Sequence, residues 1–214
     1  MTTHFSIVLS AIYLGALVWC ALTAPWRDLA SSTRQHGWMG LTVALLLVWT
    51  MRAPVGSGMD LHLAGASLAA LMFGTRLAAV SLAVALAVLA FTGHIAPESL
   101  ALQGVAYMLL PALLTIAIQR LVQARLPRNV FVYIFVTGFG GTLAANVLAT
   151  LAFVGMAWLF SAAPQPAPWG DYLSYRLLLC WGEAMLTGML VAVFVVYRPQ
   201  WMTTFRDEIY LARR

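Results

Sequence analysis

Lysine is absent from this chain of 214 residues, and charge of either sign is scarce: Asp, Glu, Lys and Arg together make up 9% of it. All twelve basic residues are therefore arginine. Without lysine no GxxxxGK[ST] phosphate loop exists, so any use of ATP falls to a partner protein. Cysteine is nearly missing as well. Cys20 and Cys180 stand alone inside apolar runs, with no CxxC pair, which argues against a disulfide and against a cysteine metal cluster. Low-complexity segments are lacking too. What fills the chain is apolar: 62% of its residues are hydrophobic. Several runs approach or exceed the roughly 20 residues that cross a bilayer. The expectation is an all-α, polytopic membrane bundle forming one domain over 1–214, with no soluble catalytic domain at either end. The net charge of +5 does not read as a nucleic-acid surface, because the arginines are spread over loops between apolar runs.

Seven membrane helices are expected, over 5–23, 38–51, 59–73, 77–91, 100–121, 130–159 and 172–197. The first lacks a basic segment before it and is long enough to span, so it reads as a membrane helix and not as a cleaved signal peptide. The sixth is long and carries a bend signal at Gly138, Gly140 and Gly141. Pro164, Pro166 and Pro168 predict an extended loop before the seventh. Residues 199–214 read as an amphipathic interfacial tail, with Trp201, Phe205, Ile209 and Tyr210 opposed to Arg206, Arg213 and Arg214.

With seven spans, one side of the membrane receives Arg27, Arg34, Arg76, Arg120, Arg125, Arg128, Arg198, Arg206, Arg213 and Arg214; the other receives Arg52 and Arg176. Basic residues accumulate on the cytoplasmic side, so the N-terminus is expected outside and the C-terminus in the cytoplasm. His4, Asp60, His62, His94, Glu98 and Asp171 then share the outer face, and His36 lies inside. Neutral imidazole is the commonest metal ligand among side chains, and a histidine at the mouth of a membrane helix is costly to keep. The bland alternatives are that His62 caps a helix start and that His4 and His94 are ordinary interfacial residues. Glu183 lies about 16 Å into the last helix, near the bilayer middle. A buried hydrogen bond to Asn146, Gln103 or a tyrosine is one reading of it, and a role in gating or ion passage the other. Small residues four apart (Ala79, Ala83, Ala87; Gly141, Ala145, Ala149; Ala11, Gly15) suit close helix packing or docking of a partner subunit.

The stretch Gly58-Met59-Asp60-Leu61-His62-Leu63-Ala64-Gly65-Ala66-Ser67-Leu68-Ala69-Ala70-Leu71-Met72-Phe73-Gly74 resembles the CbiM/NikM proteins, the substrate-binding membrane subunits of energy-coupling-factor transporters for cobalt and nickel. The resemblance implies capture of nickel or cobalt from the outer face of a bacterial inner membrane. Import would be driven by a membrane coupling (T-type) subunit and cytoplasmic ATPases, with no catalysis by this chain. It also implies a metal site built from a square of nitrogens: the N-terminal amine, an early backbone amide, an early histidine, and the histidine that His62 matches. Family members begin Met-His; this chain begins Met1-Thr2-Thr3-His4. Removal of Met1 would leave Thr2-Thr3-His4, whose amine, amides and imidazole form fused chelate rings suited to Ni(II) or Cu(II). Where family members carry an asparagine-rich segment, this chain keeps one amide, Gln103. Asp60, His94 and Glu183 are secondary candidates. A membrane sensor or assembly protein, and a metalloenzyme using His4, His62 and His94, are the rival readings.

Overall fold

Within a bilayer every backbone N–H and C=O must be paired inside the protein, and a helix does this within one segment. The computed structural model describes residues 2–54, 60–159, 169–206 and 210. It contains six helices among these residues: α1 (Thr2–Thr23), α2 (Ser32–Thr50), α3 (Ala66–Phe91), α4 (Leu100–Arg125), α5 (132–159) and α6 (Trp169–Tyr197). The apolar helices α3, α4 and α6 and the Val132–Met156 part of α5 are each long enough to cross a membrane, and Ile7–Thr23 is a shorter apolar helix.

Side-chain hydrogen bonds show how the helices alternate. Trp38 near the start of α2 donates from Nε1 to the Leu77 carbonyl, and Trp49 near its end donates to that of Ala64. Arg76 donates to the Thr23 carbonyl at the close of α1. One end of the bundle thus holds His62 and Trp49; the other holds Gly74, Arg76 and the C-terminal tail. The third and fourth expected helices are two arms of one element, α3. They meet at Gly74, whose φ of 76° and ψ of 165° are outside the helical range. That conformation is essentially open only to glycine. The first arm, 66–73, runs from the His62 end to the Gly74 end with every residue buried. The second, 75–91, returns beside α2, with Thr42 donating to Ser81.

The segment before α3 corrects the expectation of a helix from Met59. Ala53 and Pro54 pair antiparallel with Leu61 and Asp60 as β1 (Ala53–Pro54) and β2 (Asp60–Leu61), and chain without regular secondary structure then leads from His62 to Gly65. Gly65 turns into α3 at φ 65°. Non-helical backbone at this depth is tolerated because protein, not lipid, surrounds it.

Pro111 falls inside α4 and has no N–H to give the preceding turn. The turn widens accordingly: Gly104–Leu109 is a π-helical stretch. A second one, Val132–Gly141, takes the place of the bend expected near Gly138, Gly140 and Gly141. Wide turns of this kind absorb a disturbed hydrogen-bond ladder without breaking the helix. The Gly141, Ala145, Ala149 row packs inside the bundle: both alanines are buried, and a Cβ on Gly141 would lie 3.3 Å from Ile118 Cγ2.

The tail does not lie away from the protein as an interfacial segment. Beyond Pro199, Trp201 donates from Nε1 to the Thr33 carbonyl and sits against Gly37. The amides of Thr203 and Thr204 donate to the carbonyls of Met72 and Leu71. Their hydroxyls do the same. The last carbonyls of a helix have no partner within it, and the tail supplies theirs. Phe205 and Tyr210 are buried against Tyr133. Ile209, Arg213 and Arg214 lie outside the described residues.

Candidate functional site

His62 is 3% exposed, and neither of its ring nitrogens has a hydrogen-bond partner among the described residues. Its ring stacks on Trp49, 4.8 Å between centroids at 18°, and meets the edge of Tyr107 at 4.8 Å. Trp49 is fixed in turn by its bond to the Ala64 carbonyl, and Tyr107 by a hydrogen bond between its hydroxyl and that of Tyr172. The π-helical turn ahead of Pro111 is what presents Tyr107 here. Buried polar groups are almost always paired, so an imidazole with two bare nitrogens, held between two aromatic rings, is aimed at something the described side chains do not supply.

The backbone at His62 is gripped from α6. Arg176 donates from Nη1 to the His62 carbonyl at 2.8 Å and from Nε to Thr150 Oγ1 at 3.4 Å, and its guanidinium lies 4.7 Å over the Tyr107 ring. Glu183 accepts the amides of Ala64 and Gly65, one on each carboxylate oxygen, both at 2.9 Å. A carboxylate at a helix N-terminus pairs with amides the helix cannot satisfy and opposes the positive end of its dipole. The expected partners of Glu183 were Asn146, Gln103 or a tyrosine; the partners are backbone amides beside His62. Asn146 instead is buried with both amide atoms unpaired among the described residues.

Arg52, in the hairpin beyond α2, donates to Gln103 Oε1 at 3.2 Å and lies 3.5 Å from Asp60 Oδ2. Burial draws its guanidinium below the usual value, and Asp60 pulls it back up. Asp60 therefore belongs to an ion pair at the site's margin. His94 is exposed at the end of α3, where its Nδ1 pairs with the Thr92 hydroxyl. Nothing described brings it to His62. The side chains of Thr2, Thr3, His4 and Glu98 lie outside the described residues. Backbone helix begins at Thr2, and the first amides of a helix have no carbonyl to pair with. Among the described residues, no three of His, Cys, Asp and Glu converge on one point.

A cleft of about 780 Å³ reaches His62 from the flank between α2 and α6, with Thr50, Arg52, Tyr175, Leu178 and Gly182 along it. Sequence reasoning did not assign Trp49, Tyr107, Arg52 or Arg176 to the site. Arg176 carried a signal, since a charge inside an apolar run faces protein and not lipid. It was counted among the loops because its run starts only four residues earlier.

These features define a multi-pass membrane protein with a buried, unpaired imidazole mounted before a short internal helix. The chain belongs to the family described as the cobalt uptake substrate-specific transmembrane region (CbiM), whose model matches residues 2–201. It is thus a transmembrane component of transition-metal uptake, as the CbiM/NikM resemblance implies. Two solved structures share the fold. One, described as a transition metal transporter, is 20% identical, with a TM-score of 0.68 over 90% of this chain and 88% of the other. A truncated transition metal transporter is 18% identical, with a TM-score of 0.68 over 89% and 92%. No curated protein matches the sequence.

Proposed function

We propose that this chain is the subunit that captures a divalent transition metal, nickel or cobalt, for import. His62 is one ligand. The N-terminal nitrogens of Thr2, Thr3 and His4, freed by removal of Met1, supply the others. The observation that carries the reading is the His62 ring, buried with both nitrogens unpaired among the described residues while the backbone around it is held by Arg176 and Glu183. Such clamps orient a ligand, and losing them typically weakens a metal site ten- to a hundredfold.

The chain crosses the membrane seven times in this reading, counting the two arms of α3 separately. It forms one domain over 1–214, with the His62 end outside and the tail, 199–214, on the cytoplasmic side of a bacterial inner membrane. A T-type coupling subunit and cytoplasmic ATPases drive release inward. The test is metal analysis of the purified protein with mass spectrometry of its N-terminus, repeated on His62→Ala. We expect nickel or cobalt bound to a chain starting at Thr2, and affinity at least about tenfold lower in the variant. Unchanged binding of nickel, cobalt and copper by His62→Ala would overturn the assignment.

A further inference from the structure

The Gly74 end of the bundle holds a pocket with no part in the His62 site. Its volume is about 460 Å³, and it opens between the turn at Gly74 and Thr75, the last turns of α4, and the tail. Arg120 and Arg206 line it, together with Gln119, Gln123 and Ile116. Among the described residues no carboxylate lines this pocket, and neither arginine makes an ion pair there. The tail threonines that close one wall already give their hydroxyls to the Leu71 and Met72 carbonyls. Gln119 Nε2 already donates to Gln123 Oε1 at 3.4 Å, so the donors left facing the space among the described residues are mainly the two guanidinium groups and the Gln123 amide.

Two guanidinium groups with no counter-charge among the described residues attract an anion, and their planar forks match a phosphate. The surroundings say which kind. Arg120 is exposed, and the same side of α4 exposes Leu113, Ala117 and Leu121 on the turns around it. An apolar stripe that runs into a guanidinium offers an acyl chain and a phosphate their places together. We propose that this pocket binds the phosphate headgroup of an anionic phospholipid, held by Arg120 and Arg206, with an acyl chain along Leu113 and Ala117. Basic pockets between membrane helices are suited to such headgroups. A lipid seated there touches the tail at Arg206 and the turn between the two arms of α3, so it holds the Gly74 end closed.

The test uses the full chain purified in neutral detergent and titrated with phosphatidylglycerol, with phosphatidylcholine of the same acyl chains, and with inorganic phosphate. Native mass spectrometry counts bound lipid and thermal unfolding reports its effect. Phosphatidylglycerol should remain bound and raise the unfolding midpoint, and phosphatidylcholine should do neither. Added salt should weaken the effect, as it does for exposed charges. Arg120→Gln with Arg206→Gln should lower phosphatidylglycerol affinity roughly tenfold or more, whereas Arg27→Gln at the same end should not. Equal retention of the two lipids by the unmodified chain overturns the proposal without any variant. So does a midpoint shift that inorganic phosphate reproduces, which would mark a soluble-anion site. Should the double variant not fold, Arg120→Lys and Arg206→Lys keep the charge and lose the fork; affinity equal to the unmodified chain in both overturns the guanidinium assignment.

Discussion

At the scale of single residues, His62 and Glu183 divide the work of the site between side chain and backbone. His62 presents an imidazole with nothing among the described residues paired to it. Glu183 holds the two amides that follow it in the chain, so the ring's position depends on a carboxylate 119 residues away from Ala64. Glu183→Gln keeps the shape but replaces one acceptor with a donor that faces an amide. We expect about 1–3 kcal/mol of lost stability and weaker metal binding. A thermal unfolding midpoint unchanged from the unmodified chain would show that the cap contributes nothing. The N-terminus has its own test. Inserting one alanine between Thr3 and His4 keeps every side chain but breaks the chelate register, so it should lower affinity about as much as His4→Ala. Damage from His4→Ala alone would mean that His4 acts as an independent ligand. Affinity of the unmodified chain should fall as pH drops through the imidazole range, because protons then compete with the metal for the nitrogens, so both effects should shrink there.

At the scale of elements, α3 decides the architecture. Its first arm is only eight residues long, yet it is held at both ends by α6 and the chain that follows it: Glu183 at the start, Thr203 and Thr204 at the finish. Two glycines allow this, for different reasons. Gly74 has positive φ but open space around it, so Gly74→Ala costs backbone strain alone, about 1–3 kcal/mol. Gly65 also has positive φ, and a Cβ there would come within 2.4 Å of Leu45 Cδ2. Gly65→Ala should therefore destabilise more than Gly74→Ala, and it should also disturb metal binding, since Gly65 is one of the amides Glu183 holds. Thermal unfolding of both variants in one detergent checks the order; Gly74→Ala as the more damaging would contradict it.

At the scale of the whole molecule, the arginines polarise the bundle. Of the ten assigned to the inner face, Arg27, Arg34, Arg76, Arg120, Arg125, Arg128, Arg198 and Arg206 fall among the described residues. Arg76, Arg120 and Arg206 are at the Gly74 end, where Arg76 meets Thr23 and the other two line the basic pocket. Arg52 and Arg176 are both at the His62 end. In the proposed reading the positive-inside tendency would put the Gly74 end in the cytoplasm. A reporter enzyme fused after Arg214 should be active on the cytoplasmic side, and one placed between Pro164 and Pro168 on the outer side. An external C-terminus would move His62 to the inner face and end the capture model.

The membrane class and helical architecture follow from the sequence alone, because apolar runs in a bilayer leave the backbone no other common way to pair its groups. His62 stood out for a similar reason: an imidazole beside an apolar run in a 62% hydrophobic chain has few cheap explanations. The break at Gly74 was legible too, as a gap between two short runs. What tertiary structure decided is everything that depends on long-range pairing. Ala64 and Gly65 are named by no motif as the partners of Glu183, since backbone amides look alike in any sequence. Trp49 and Tyr107 read as ordinary core aromatics until the hairpin and the widened turn before Pro111 bring them against one ring. The tail's aromatic and charged pattern fits a membrane surface as well as it fits a protein wall. The carbonyls at the end of the 66–73 arm, which only folding exposes as unpaired, decide for the wall.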